Sequence, residues 1–324
     1  MTNAADLPPL PAAFVALLDA VIDPAHRAEV DASYTAPKTV TFRLNPLKAD
    51  GPATLAALSE AGVPWAAAPC PTDAAFATYC VPPEHRSTLT HHAVCSDGQV
   101  YVQGLSSMAA VWALGPQPGE EILDLAAAPG GKTALIAAAM RNQGRLAAVE
   151  PVRARFFKLK ANLARLGVTC HHTYLKDGAV VGKLTPARFD RVLLDAPCSS
   201  EAQFTRLDPE SWAHWSPKKV KDSARLQAKL LRSAIAALKP GGVLVYSTCS
   251  LSPEENECVL HHALSEHPEM DVTPMHNWPN GLPVQAGLTE WKGQALDPRL
   301  THARRWWPTA YSDAFFVCRL QKAV

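Results

Sequence analysis

Asp124-Leu-Ala-Ala-Ala-Pro-Gly-Gly-Lys-Thr133 is the stretch from which the fold can be read. It follows a short apolar run and leads into Ala134-Leu-Ile-Ala-Ala-Ala139, the pattern of a buried strand turning into a helix. Gly130 and Gly131 carry no Cβ, so backbone can approach a ligand closely and the helix N-terminus can face it. The turn is not a P-loop, because G-x-x-x-x-G-K-[ST] needs glycine where this chain has Ala126, and it is not G-x-G-x-x-G. Glu150 closes the next strand, 20 residues after Gly130, where an acid commonly binds ribose hydroxyls. Turn and acid in register predict a nucleoside-cofactor site.

Working outward, apolar runs at 121–126, 145–150, 170–175, 189–195, 243–248 and 314–320 read as buried strands. Helical stretches separate most of them. Over 153–166, Phe156, Leu159, Leu163 and Leu166 form one stripe, while Arg153, Arg155, Lys158, Lys160 and Arg165 lie off it. This alternation predicts an α/β fold with a doubly wound, mostly parallel sheet that binds ligands at the carboxyl ends of its strands. Residues 1–92 read as a small α+β domain, with helices at 12–22 and 53–61 and a strand at 39–44. Residues 93–324 would form the second domain.

Composition narrows the classes. The chain has 324 residues, 48% hydrophobic and 19% charged, as expected of a soluble protein with a sizeable core. No apolar run approaches the ~18 residues of a membrane helix, and the N-terminus lacks the pattern of a signal peptide. A cytoplasmic location with reduced thiols is the expectation. Eight cysteines without a C-x-x-C pair suggest neither a metal site nor a disulfide framework. The net charge of +1 conceals a split: residues 141–240 hold 19 Lys and Arg against 8 Asp and Glu, and the remainder is acidic. A basic block suggests a polyanion such as RNA or DNA, although solvated helix faces would account for part of it.

Two further strand ends carry chemistry: Leu193-Leu-Asp-Ala-Pro-Cys-Ser-Ser200 and Tyr246-Ser-Thr-Cys-Ser250. Cys198 and Cys249 should therefore emerge at the sheet edge that bears the glycine turn. A lone cysteine is usually a small core residue, but two beside a cofactor site suggest thiolate chemistry. Cytosine C5 is a poor nucleophile until a thiolate adds to C6. Asp195 is placed to polarise the base at N3 during that addition, and a second group can assist elimination afterwards.

With these residues the chain resembles the RNA 5-methylcytosine methyltransferases of the NOL1/NOP2/Sun (RsmB/RsmF-like) family, from about residue 39 to 320. The resemblance rests on Phe42-Arg-Leu-Asn-Pro-Leu-Lys48, Val102-Gln-Gly-Leu-Ser-Ser-Met108, the glycine turn, both cysteine segments, Arg305-Trp-Trp-Pro308 and Asp313-Ala-Phe-Phe316. It implies a class I S-adenosylmethionine-dependent methyltransferase with a seven-stranded sheet. It also implies cofactor contacts from Ala126, Ala127, Ala128, Pro129, Gly130, Gly131, Lys132, Glu150, Arg155, Asp177 and Asp195. Cys249 matches the nucleophile and Cys198 the cysteine credited with product release. DNA cytosine methyltransferases share only the Pro-Cys segment. Five positions depart from the family: Ala126 replaces a frequent Cys, Ser200 and Ala202 the glycines of a usual Gly-x-Gly, Gly104 a common acid and Ala314 a usual Gly.

The resemblance makes an unpaired or flipped cytosine in ribosomal RNA the expected target, with transfer RNA second. A monomer is expected. The competing reading is an RNA-binding assembly factor without turnover, supported only by the altered loop at 200–202. Phe204, Trp212, Trp215, Trp278, Trp291, Trp306 and Trp307 read as core first and base-stacking platforms second. His171-His172 and His261-His262 read as structural or solvated, and the acids of Pro253-Glu-Glu-Asn-Glu257 as first-turn helix caps.

Overall fold

Val40–Leu44 forms β1, and its β-branched and aromatic side chains seat it at the middle of an antiparallel sheet. The computed structural model describes residues 6–71, 74, 76–275 and 281–324. Around β1 lie β2 (Ala66–Ala67), β3 (Thr78–Val81) and β4 (Val100–Val102), in the order β2-β3-β1-β4. Val40, Phe42, Val81 and Val100 pack with Leu58 of the helix Gly51–Glu60. The sheet runs to Val102, beyond the expected division at 92/93. The first helix, Ala12–Val21, packs elsewhere: Phe14 meets Phe204 edge to face, with ring centroids 4.7 Å apart.

The second sheet is the expected doubly wound one. Its parallel strands are β5 (Glu121–Asp124), β6 (Arg145–Val149), β7 (His171–Tyr174), β8 (Phe189–Asp195) and β9 (Leu238–Thr248). Then come β10 (Met270–Val272), β11 (Val284–Ala286), a separate hairpin β12–β13 (Glu290–Trp291, Gln294–Ala295), β14 (Arg304–Trp306) and β15 (Phe315–Lys322). The order is β11-β14-β15-β9-β8-β5-β6-β7, with β10 also on β15. Among the described residues, nine strands therefore stand where seven were expected. β10 and β14 pair with opposite ends of β15, so two short strands share one place, and β11 extends the edge.

Leu193 and Leu194, adjacent on β8, are both fully buried and belong to clusters on opposite faces. That explains why the strands read as continuous apolar runs rather than alternating ones. Helices Leu105–Leu114, Gly131–Ala139 and Arg153–Arg165 cover one face; Pro217–Ala237 and Glu257–Glu266 cover the other. Leu159, Leu163 and Leu166 are buried and Phe156 is half-buried, so the stripe read from the sequence is the packed one. Phe204, Trp306 and Trp307 are buried, and Trp307 stacks on His26. Trp278 lies outside the described residues. No helix among the described residues is long and apolar enough to cross a membrane.

Candidate active site

The glycine turn follows β5 and caps the helix Gly131–Ala139. Gly130 takes φ +105°, a conformation that glycine adopts without steric cost. At Gly131 the constraint is space, since a Cβ there would stand 2.8 Å from Cε1 of Tyr101. Residues 126–129, Gly131 and Lys132, with Asp124, Tyr101 and Gln103, line a cavity of about 230 Å³. Oδ2 of Asp124 accepts a hydrogen bond from Thr133 at 2.7 Å, whereas Oδ1 is buried without a hydrogen-bond partner among the described residues. Burial pushes the Asp124 carboxyl up to about 6. The sequence reading omitted Asp124, although its place at the strand end was a usable signal.

Arg155 donates to the carbonyl of Ala128 at 2.8 Å and stands 3.3 Å from Oε2 of buried Glu150. The acid after β6 and the turn are thus linked through one side chain. Asp177 stands apart. Its carboxylate accepts from the amide of Ala179, its side chain is exposed, and it lines neither this cavity nor the one beside it.

That second cavity, of about 330 Å³, shares Gly104, Ala126, Ala128, Lys132 and Asp195 with the first. Cys198 and Cys249 face each other in it with their sulfurs 2.9 Å apart. The hydrogen bond to Cys249, then burial, then the charges of Cys249, Glu255 and Glu201 hold the Cys198 thiol well above its ordinary range. Lys132 Nζ lies 2.7 Å from Asp195 Oδ2, and Ser247 donates to Asp195 Oδ1 at 2.8 Å. Burial alone would lower the Lys132 ammonium, but Asp195, Cys249 and Asp124 together raise it.

The reading of residues 253–257 as helix caps needs correction. The helix starts at Glu257, and Glu255 lies before it, fully buried. Its carboxylate accepts from the Ser199 amide at 3.0 Å and hydroxyl, from Ser250 Oγ at 3.0 Å and from Gln227 Nε2 at 2.7 Å. One carboxylate thus ties the Cys198 loop to the Cys249 loop. Burial and the neighbouring Glu201 push Glu255 up to about 7. Asn256 accepts from Thr248 and donates to the carbonyl of Ser250, while Glu257 takes a bidentate contact from buried Arg305 at 2.7 Å. Glu255 and Glu257 escape a reading from sequence because Ser199, Gln227 and Arg305 lie 28 to 56 residues away from them.

A doubly wound sheet with this turn after one strand and a buried acid after the next matches the class I methyltransferase fold. The family described as 16S rRNA methyltransferase RsmB/F matches residues 111–321. Ribosomal RNA small subunit methyltransferase F of Vibrio vulnificus is 40% identical over 291 residues, covering 88% of this chain and 58% of that protein. The 28S rRNA (cytosine-C(5))-methyltransferase of Mus musculus is 41% identical over 231 residues, 69% of this chain and 28% of that one. A methyltransferase homolog from Pyrococcus horikoshii superposes with a TM-score of 0.77 at 30% identity, covering 97% of this chain and all of its own. The chain belongs to the RsmB/F family of NOL1/NOP2/Sun methyltransferases. It spans less than two thirds of the length of these curated relatives.

A methyltransferase of this family implies S-adenosylmethionine as cofactor, and the residues of the first cavity suit it. The Gly131 cradle excludes even a methyl group, and two buried polar atoms at its wall, Asp124 Oδ1 and Gln103 Nε2, have no hydrogen-bond partner among the described residues. Such atoms suit a ligand with an ammonium and a carboxylate.

Proposed function

We propose that this chain methylates cytosine C5 in RNA through a covalent bond between Cys249 and C6, with ribosomal RNA as first target and transfer RNA as second. The observation that carries the reading is the cysteine pair at 2.9 Å in a cavity continuous with the cofactor turn. Asp195, held by Lys132 and Ser247, is the group that would take the Cys249 thiol proton and share it with N3 of the base, making C6 electrophilic. The Cys249 thiolate then adds to C6 and shifts electron density to C5. S-adenosylmethionine supplies the electrophilic methyl group. Loss of the C5 proton to solvent water re-forms the double bond and expels Cys249, whose departing thiolate the neighbouring Cys198 thiol would stabilise by donating a hydrogen bond. Asp177 remains a proposed contact to the nucleoside end.

RNA suits the surroundings. A further hollow of about 410 Å³, lined by Lys38, Arg86 and Tyr311 among others, meets the cysteine cavity at Gly104 and Asp313. Both cysteines are recessed, so the target base must be unpaired or flipped out to reach them. The N-terminal domain, residues 1–92, would hold flanking RNA. We propose action as a monomer in the cytoplasm.

The test is a denaturing gel of Cys198→Ala after incubation with total cellular RNA and S-adenosylmethionine. A slow, RNase-sensitive band is expected in that variant and absent from Cys198→Ala/Cys249→Ala. Absence of both the band and methyl incorporation by wild type, with cofactor binding intact and ribosomal particles supplied as well, would favour the assembly factor.

A further inference from the structure

Arg43 is fully buried, yet no carboxylate among the described residues forms an ion pair with it. Its Nε donates to Gln103 Oε1 at 3.0 Å, its Nη2 to the carbonyl of Gly131 at 3.3 Å, and its guanidinium lies 5.3 Å from the centre of the Tyr101 ring. Nη1 has no hydrogen-bond partner among the described residues, and neither has Nε2 of Gln103. Gln103, Gly131 and Tyr101 line the cofactor cavity, and Arg43, fully buried, lies behind them. An unpaired charge in such a place is costly, and burial lowers the guanidinium to about 10.

The cofactor's amino-acid end brings a carboxylate that needs a counter-charge. Lys132 is the obvious cation in the turn, but its ammonium is already held by Asp195 at 2.7 Å. We propose that Arg43, assisted by Gln103, binds the carboxylate of the cofactor's amino-acid end. The N-terminal sheet thereby becomes part of the cofactor site, since Arg43 belongs to β1 and Gln103 follows β4. Two convergent donors, one charged, are the arrangement that a carboxylate selects. Asp124 Oδ1 would then serve the neighbouring ammonium.

The inference rests on S-adenosylmethionine as cofactor and not on RNA as substrate, so its test needs no RNA. Calorimetry would compare S-adenosylhomocysteine, which has the amino-acid end, with 5′-methylthioadenosine, which lacks it. Arg43→Met is expected to weaken S-adenosylhomocysteine roughly 10- to 100-fold and leave methylthioadenosine within about twofold. Gln103→Leu should show the same selectivity more weakly. Intact methylthioadenosine binding doubles as the check that the variants are folded. Equal weakening of both ligands would mean that Arg43 only holds the Gly131 turn, and would overturn the assignment, as would no change in either. If wild type binds neither ligand, the cofactor assignment itself falls.

Discussion

Ser200 takes φ +67°, in the left-handed region where a side chain crowds its own backbone. It stands at the first position of the segment that departs from Gly-x-Gly, between Cys198 and the buried Glu201. The chain adopts the turn despite the missing glycine because its ends are fixed: the Ala202 amide donates to the carbonyl of Cys249, and Glu255 grips Ser199. Ala202, the second departure, is buried against Phe14 and Phe204 and is tolerated as packing. The strain at 200 is therefore local. Ser200→Gly should raise stability by about 0.5–1 kcal/mol, the relieved strain exceeding the flexibility that glycine adds to the unfolded chain. Urea denaturation would check this, and an equal or lower midpoint would show that the left-handed turn costs little here.

The connection from β9 to the helix Glu257–Glu266 shows where reading an element from sequence succeeds and where it stops. The strand itself was legible, because Val243, Leu244 and Val245 are buried on both faces and such burial needs an unbroken apolar run. So were the positions of both cysteines, since strand ends in a parallel sheet share one edge. The acids after Cys249 were not legible. Helix-dipole arguments describe an acid in a first turn, whereas Glu255 is fixed by Ser199 from another strand end and Gln227 from another helix. Its carboxyl, normally near 4.5, is raised to about 7 in the folded chain. Between those values the folded state holds a proton that the unfolded state has lost, so stability falls as pH rises from about 4.5 to 7. The slope due to Glu255 is at most about 1.4 kcal/mol per pH unit. Glu255→Gln should flatten that part of the profile. Asp124, raised to about 6, leaves a residual slope of the same sign. Denaturation midpoints at pH 5, 6, 7 and 8 would decide it; unchanged slopes would show that Glu255 is ionised throughout.

Across the whole molecule the two sheets are bolted together by the element that runs from Arg43 to Lys48. Asn45 Nδ2 donates to the carbonyls of Gly98 at 2.8 Å and Leu166 at 2.9 Å. Lys48 reaches the carbonyl of Arg165 at 3.0 Å, and Arg165 in turn donates to Cys95. The sequence singles out these residues only as part of the segment Phe42–Lys48; tertiary structure buries Arg43 and Asn45 and lays exposed Lys48 across the seam. The helix Arg153–Arg165 thus carries Arg155 at the cofactor turn and, one end further on, the contacts that anchor the N-terminal sheet. Because the Asn45 bonds that join the two sheets are buried, the sheets should unfold as one unit. Tryptophan fluorescence and far-ultraviolet circular dichroism should give coincident transitions in wild type. Asn45→Ala leaves two buried carbonyls without that donor and should cost about 2–3 kcal/mol, lowering the midpoint seen by both probes together. A midpoint that moves for one probe alone would mean that the N-terminal sheet opens independently, and that the cofactor cavity, with Tyr101 and Gln103 in its wall, can lose one side while the parallel sheet stays folded.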